Sequence, residues 1–309
     1  MPSEVKIFAP GTVANIGCGF DILGFALEYP GDYVTIRMIS QNEVRINKIS
    51  GKGVQLPMEP DKNTAGIAVI EFLRKFNIQT GVELEIQKGM KIGSGLGSSA
   101  ASAAAALFGI NYIFDNIADM GQLISCGLTA EAGACGSPHA DNIAPSLMGG
   151  LVLIRSHDPL DVISLSFPED LFYAVISPDI ELQTRMLRKI LPEKVPLSSA
   201  VKQWGNIAGL IAGLHNKDYS LISRSLEDVI IEPVRSQFIP FFKEIKSQAM
   251  QTGALGCSIS GSGPSIFALC RGEQTAFNVS ESMAEIYKKN KISFEVYVSS
   301  INKKGPQIS

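Results

Sequence analysis

The nine residues Gly93-Ser94-Gly95-Leu96-Gly97-Ser98-Ser99-Ala100-Ala101 combine three alternate glycines, paired hydroxyls and the start of an alanine-rich segment. Glycine admits positive φ and lets a ligand come close to backbone amides. Alanine is the strongest helix former, so the loop should empty into a helix N-terminus. There the unpaired N–H groups and the helix dipole favour an anion. Just upstream, Val82-Glu83-Leu84-Glu85-Ile86 alternates like a strand. Strand, glycine loop and helix together predict a phosphate cradle.

The loop matches neither of the two commonest glycine motifs. A Walker loop needs Gly-Lys followed by Ser or Thr, whereas Gly97 is followed by Ser98-Ser99. A Rossmann fingerprint belongs in the first strand-turn-helix unit, with an acidic residue about 20 positions further on. A flexible loop with a serine N-cap is the plainer alternative, and the full string fits it poorly.

Three other clusters carry polar groups on small-residue loops. Ala9-Pro10-Gly11-Thr12-Val13-Ala14-Asn15-Ile16-Gly17-Cys18-Gly19-Phe20-Asp21 offers an amide and a carboxylate to a polar pocket, although by itself it reads equally as a surface loop closed by Asx turns. His139-Ala140-Asp141-Asn142-Ile143-Ala144-Pro145, ahead of Gly149-Gly150, sets imidazole, carboxylate and amide within four residues. A helix cap at Asp141 or Asn142, with Pro145 in the first turn, accounts for it as well. Ile259-Ser260-Gly261-Ser262-Gly263-Pro264-Ser265-Ile266 is a second small-residue loop, suited to a strained hairpin or to covering a neighbouring phosphate loop.

These clusters need elements to hold them. Val5–Phe8 reads as a first strand, followed by a glycine-punctuated loop over Pro10–Gly24. Tyr33–Met38 and Val44–Ile49 read as antiparallel neighbours. Asn63-Thr64 caps a helix with Ile67, Ile70, Phe72 and Leu73 facing inward. Helices are expected near 99–114 and 120–132, and a strand at Gly150–Ile154. Beyond Ile163 the pattern restarts: a strand at Phe172–Ser177, helices near 184–191, 197–214 and 235–250, strands at 256–260 and 265–270, a helix near 274–289 and a last strand at Phe294–Val298. Strands and helices without strict alternation indicate α+β. Ser156-His157-Asp158-Pro159 reads as the connector, dividing the chain into domains 1–160 and 161–309.

The 309 residues suffice for two cores. A formal charge of −3 gives no general attraction to nucleic acid or anionic lipid. Five cysteines, odd in number and without a close pair, read as reduced, mostly buried thiols of a cytoplasmic protein. The first 30 residues show no signal-peptide pattern, and no apolar stretch is long enough to span a bilayer. Three scattered histidines argue against zinc.

Taken together, the four clusters resemble the GHMP kinase superfamily. His139 to Pro145 with Gly149-Gly150, and Ile231-Glu232-Pro233-Val234-Arg235, point within it to the homoserine kinase family. A proline commonly stands four residues before the family's Gly-Leu-Gly, where this chain has Lys91. The resemblance implies an N-terminal α+β domain with a left-handed βαβ unit, a ferredoxin-like C-terminal domain, and nucleotide and acceptor between them. It implies that Lys91, Ile92, Gly93, Ser94, Gly95, Leu96, Gly97, Ser98, Ser99, Ala100 and Ala101 hold ATP, and that Ser99 and Glu131 hold Mg²⁺. Read without the family, Glu131 is an exposed carboxylate at a helix end.

The implied acceptor is L-homoserine, a zwitterion with a terminal hydroxyl. Arg188 and Arg235 offer planar forks to its carboxylate, and Asp21 pairs with its ammonium. Asn15 and Asp141 hold the hydroxyl, with Thr184 and His139 as further pocket residues. Where related kinases carry an aspartate as base, this chain carries Asn142, which accepts no proton; the γ-phosphate then takes it, with Asp141 a positioning residue first and a base second. A homodimer is an expectation from the resemblance alone. Two alternatives stand beside this reading: a GHMP kinase acting on another small alcohol, which needs no pair of carboxylate-binding arginines, and a catalytically silent sensor of metabolite or nucleotide.

Overall fold

A computed structural model describes residues 2–52, 55–136, 138–182 and 184–309, with Ala134 and Cys135 described by backbone only. The chain begins β1 (Glu4–Ala14), β2 (Leu23–Ile39), β3 (Val44–Gly51), α1 (Thr64–Lys75), β4 (Gly81–Lys88), α2 (Ser98–Ile113), α3 (Met120–Cys135), α4 (Ala140–Met148), β5 (Leu151–His157) and β6 (Leu160–Leu165). Long β2 is the hub of the first sheet, antiparallel to β1, β4 and β5. The expected antiparallel pairing of Val44–Ile49 with Tyr33–Met38 does not form: β4 lies between them, and β3 pairs with β4 in parallel. The α1 crossover supplies the length that a parallel connection needs, giving a β3–α1–β4 unit. Val82, Leu84 and Ile86 of β4 are buried, as suits an interior strand, whereas β3 buries Ile46 alone and takes the edge.

The chain continues with β7 (Leu171–Pro178), α5 (Thr184–Lys189), α6 (Leu197–Asn216), α7 (Tyr219–Ser225), α8 (Glu232–Arg235), α9 (Phe242–Gln251), β8 (Gly256–Ile259), β9 (Ile266–Arg271), α10 (Glu273–Lys289), β10 (Phe294–Ser300) and β11 (Gln307–Ile308). The second sheet is antiparallel in the order β10-β7-β9-β8. That is the order of a ferredoxin-like β-α-β-β-α-β unit. The single helix expected over 235–250 is broken. Ile239 precedes Pro240 and is held at φ −107°, ψ 112°, so α8 ends and α9 starts afresh. The cap expected at Asp141 or Asn142 lies instead at His139, and Pro145 sits inside α4.

Three apolar cores hold these layers. One packs the first sheet against α1–α4, with Ile7, Ile36, Phe72, Leu84 and Ile110 fully or nearly fully buried. Another lies between the two sheets and joins Leu23, Phe25, Leu27 and Leu96 to Tyr173, Leu210 and Phe267. The last backs the second sheet with α9 and α10 around Ile245, Met283 and Tyr287. The second sheet is therefore covered on both faces, and the intersheet core sets the angle at which the halves meet. Ser156–Pro159, read as a connector, is the turn of the β5–β6 hairpin; the first sheet runs on to Leu165 and recovers β11 from the far end of the chain. Cys18, Cys126, Cys257 and Cys270 are buried free thiols, and Cys135 lies outside the described side chains. Among the described residues no helix is long and apolar enough to cross a membrane.

Candidate active site

The glycine loop leaves β4 at Lys88 and enters α2 at Ser98. Gly93, Gly95 and Gly97 have φ of +71°, +81° and +65°, the left-handed region that glycine enters without strain. Close approach also bars a side chain. A Cβ on Gly95 would lie 2.6 Å from the Ser260 carbonyl oxygen, and one on Gly97 would lie 2.1 Å from Thr12 Oγ1.

The second small-residue loop braces the first. Ser260 Oγ donates to the Gly95 carbonyl at 2.7 Å, and Ser265 Oγ to the Ser94 carbonyl at 2.6 Å. Thr12 N–H donates to the Leu96 carbonyl at 2.9 Å. With these carbonyls satisfied, the amides of Gly93, Ser94, Gly95 and Gly97 have no partner among the described residues. Such a row of free donors ahead of a helix N-terminus has the chemistry to take an anion.

Ile92, Gly93, Ser94, Gly95, Gly97, Ser98 and Ser99 line one cavity of about 490 Å³. The rest of the expected segment contributes differently. Leu96, Ala100 and Ala101 send their side chains into the cores, and the Ala101 amide is spent on the Gly97 carbonyl at 2.9 Å. Lys91 pairs with Asp179 at 2.5 Å, beside a separate hollow of about 150 Å³.

Beneath the loop lies a buried ion pair that the sequence reading missed. Lys88 pairs with Asp32 and also donates to the Ser98 carbonyl at 2.8 Å and Ser102 Oγ at 2.7 Å. Asp32 accepts in turn from Ser102 Oγ and from the Gly89 amide. The pair fixes the first turn of α2 against β2. A lysine closing the strand directly before the glycine loop is the signal that could have drawn attention to it.

The acceptor-side candidates come from five separate segments. Asn15, Asp21, Glu131, His139, Asp141, Asn142, Thr184, Arg188 and Arg235 all line the same 490 Å³ cavity as the glycine loop. Asn15 and Asp21 both take positive φ, +73° and +60°. Asn15 Nδ2 donates to the Gly261 carbonyl at 2.8 Å, and its Oδ1 accepts from the Asp21 amide at 3.0 Å, so it also ties its own loop together. Arg188 grips Asp21 at two points, 2.9 and 2.7 Å. Phe20 places its ring 5.5 Å from the Arg188 guanidinium and 5.2 Å from that of Arg235.

Arg235 is only 3% exposed, and its guanidinium has one hydrogen-bond partner among the described residues, the Gly261 carbonyl at 3.1 Å. Burial, against the pull of Asp21, lowers its pKa to about 10. Buried Asp228 accepts from the amides of Ile230, Ile231 and Glu232, which sets the turn that aims Arg235. Thr184 meets Ser262 at 3.0 Å, hydroxyl to hydroxyl.

Glu131, read without the family as an exposed helix carboxylate, is buried at 2% exposure. Its Oε2 meets His139 Nδ1 at 3.1 Å, while Oε1 and His139 Nε2 are buried without a partner among the described residues. Burial opposes a charged His139, but the hydrogen bond and charge of Glu131 outweigh it and raise the imidazole pKa. Asp141 is driven up to about 7 by burial and by the nearby Asp21 carboxylate. Thr12 Oγ1 donates to Asn142 Oδ1 at 2.8 Å, which fixes the amide's orientation. No group of three His, Cys, Asp or Glu gathers as a metal cage among the described residues. A magnesium ion shared with phosphates needs fewer, since it keeps waters and one or two carboxylates suffice. The orphaned Oε1 of Glu131 fits that pattern.

Comparison with known proteins agrees with this geometry. The GHMP kinases N terminal domain matches residues 63–150 and the GHMP kinases C terminal domain residues 210–289. A homoserine kinase of Chlorobium phaeobacteroides is 43% identical, covering 98% of this chain and 99% of that protein. One from Arabidopsis thaliana is 43% identical over 93% of this chain and 79% of its own length. The crystal structure of homoserine kinase from Cytophaga hutchinsonii superposes with a TM-score of 0.98, at 48% identity, over 100% of this chain and 98% of that one. The crystal structure of L. major mevalonate kinase shares the fold alone, with a TM-score of 0.72 at 13% identity and coverage of 97% of this chain and 98% of that one. Full-length identity of this order, on a two-domain fold with a glycine loop braced across the domain junction, places the chain among the GHMP kinases, in the homoserine kinase family.

Proposed function

We propose that this chain transfers the γ-phosphoryl group of ATP to the side-chain hydroxyl of L-homoserine, giving O-phospho-L-homoserine for threonine synthesis. The observation that carries the reading is a single cavity with two unlike ends: free amides of the glycine loop at one, and Arg188, Arg235 and Asp21 at the other. Phosphoryl transfer asks the protein mainly for positioning and charge neutralisation. The amides of residues 93–99 hold phosphate oxygens. Arg188 and Arg235 take the acceptor's carboxylate, and Asp21 turns from Arg188 to its ammonium.

Ser99 and Glu131 are the residues that would hold Mg²⁺, which when bound screens the charge on the transferring phosphate. His139 keeps Glu131 in place through its Nδ1 side. Asn142, with its Oδ1 taken by Thr12, offers N–H to the hydroxyl and accepts no proton. The hydroxyl proton passes to the γ-phosphate, and Asp141 holds the hydroxyl. The domain division is proposed between the hairpin ending at Leu165 and β7. Four buried free thiols support a reducing, cytoplasmic setting.

An ADP-release assay across homoserine, mevalonate and galactose tests the reading. Turnover on homoserine alone is expected. Turnover on the other two alcohols only would replace it with a different GHMP kinase. ATP binding with no product in a single-turnover experiment on any of the three would favour a sensor.

A further inference from the structure

One buried carboxylate grips the glycine loop at both ends. At the entry the Gly89 amide donates to Asp32 Oδ1 at 3.0 Å. A Cβ on Gly89 would lie 2.1 Å from the Gly31 carbonyl oxygen, so the loop meets β2 backbone to backbone. At the exit Ser102 Oγ, one turn into α2, donates to Asp32 Oδ2 at 2.7 Å. Lys88 closes the ring: it pairs with Asp32 Oδ2 and donates to both the Ser98 carbonyl and Ser102 Oγ. The Lys88 side chain is 2% exposed and that of Asp32 is 0%. Between the two grips stand Gly93, Gly95 and Gly97, the residues with the most conformational freedom to lose.

We propose that Lys88, Asp32 and Ser102 are positioning residues for phosphoryl transfer, clamping the loop in shape, and that Lys88 itself touches no phosphate. Lys88 lines the cavity wall beside Ser98, where an unspent ammonium would serve as a phosphate ligand, as the lysine of a Walker loop does. An ammonium has three N–H donors, and Asp32, Ser98 and Ser102 take all three. Paired with Asp32, it also adds no net charge to the cavity. What the clamp supplies is order. Amides aimed at developing phosphate charge help most when they are held before the ligand arrives. A slack glycine loop would instead have to be ordered by the ligand, at a cost in affinity. Ser98 shows the result: with its carbonyl held by Lys88, its Oγ is buried on the cavity wall without a partner among the described residues. The inference rests on the phosphoryl-transfer reading, and not on which alcohol accepts.

ATP titration, steady-state turnover and melting temperature of four variants of the full chain test it. Lys88→Met alone strands a buried carboxylate and should lower the melting temperature by on the order of 10 °C. Adding Asp32→Asn removes that charge, keeps an acceptor for the Gly89 amide and should restore most of the loss. The doubly substituted chain should nevertheless bind ATP about tenfold more weakly and turn over about tenfold more slowly, with the KM for homoserine within about twofold of the parent's. Ser102→Ala removes one corner and keeps the ion pair, so ATP binding should weaken about threefold. Asp32→Asn alone separates clamp from ligand: a clamp gives weaker ATP binding, whereas a lysine released toward phosphate gives tighter binding. Tighter binding there overturns the inference. So does a doubly substituted chain of restored stability whose ATP binding and turnover match the parent's. Should that chain fail to fold, Ser102→Ala and Asp32→Asn variants that both titrate like the parent overturn it equally. The titration needs no acceptor, so a parent inactive on homoserine would sink the acceptor reading and leave this test standing.

Discussion

The two ends of the cavity are built by different means. At the glycine-loop end the donors are backbone amides, set by three positive-φ glycines and held by serines of a second loop. A backbone site of this kind is rigid and recognises phosphate whatever is attached to it. At the end proposed for the acceptor the polar groups are charged side chains carried on separate segments, and they are partnered within the protein: Arg188 clasps Asp21, and Arg235 stacks on Phe20. On the function proposed above, the first end is built for its ligand in advance and the second would exchange internal partners for the ligand's own charges. The backbone end would then carry the chemistry common to many kinases, and the side-chain end the choice of acceptor.

The largest expected effect bears on the chemistry where the ends meet. Glu131→Gln keeps shape but removes the charge proposed to hold Mg²⁺ beside the transferring phosphate. Turnover at saturating ATP should fall on the order of 100-fold, the scale of losing one preorganised contact to a transition state. The Mg²⁺ needed for half-maximal rate should rise. Rates and Mg²⁺ dependence equal to the parent's would remove Glu131 from the metal.

Arg235 tests the acceptor end by itself. Arg235→Leu should cost homoserine use about 1.5–3 kcal/mol in kcat/KM, the range for a charge-assisted hydrogen bond, and Arg235→Lys less, since lysine keeps the charge without the planar fork. ATP titrations should barely change. The parent should prefer homoserine over its carboxamide, and the leucine variant should lose most of that preference. A folded leucine variant that retains it in full would show that this arginine serves the fold only.

Gly97→Val tests the backbone end. It meets a φ of +65° and places Cβ 2.1 Å from Thr12 Oγ1 and 2.8 Å from Asn142 Oδ1. Strain of about 1–3 kcal/mol should appear as a lower melting temperature and weaker ATP binding. Because Thr12 and Asn142 are displaced together, turnover should drop further than ATP affinity. Normal ATP titration in the folded variant would take the loop out of the phosphate site.

The smallest effect concerns stability and pH. The Asp141 pKa, about 7 when folded, lies above its ordinary value of 3.8. The native state therefore binds the proton more tightly than the unfolded chain, and Asp141 lowers stability progressively as pH rises from about 4 to about 7. Asp141→Asn should gain stability relative to the parent across that window, with the gain levelling off above pH 7. Urea unfolding of the ligand-free protein at pH 5, 6, 7 and 8 measures it, and a pH-independent difference would refute the raised pKa.

The α2 boundary and the positive-φ glycine loop were readable because their information is local: glycine spacing and an alanine run act within a dozen residues. The β3 pairing was misread because Val44–Ile49 and Tyr33–Met38 carry strand signals that do not name a partner, and α1 with β4 had yet to be placed between them. Glu131 shows the same limit for a single residue. Its helix was evident, yet its burial follows from where α4 brings His139.

By itself, then, the sequence determined the glycine-loop backbone, the α+β class and the set of polar residues that one cavity collects. Periodicity, turn chemistry and glycine's conformational freedom are properties of neighbours along the chain. Only the tertiary structure decided that Asp32 would lie against Lys88, Thr12 against Asn142 and Asp21 against Arg188, pairs 56, 130 and 167 residues apart. Such contacts form when the intersheet core fixes how the two halves meet, and for the buried Lys88–Asp32 pair burial then gives the low-dielectric setting in which its charge matters most.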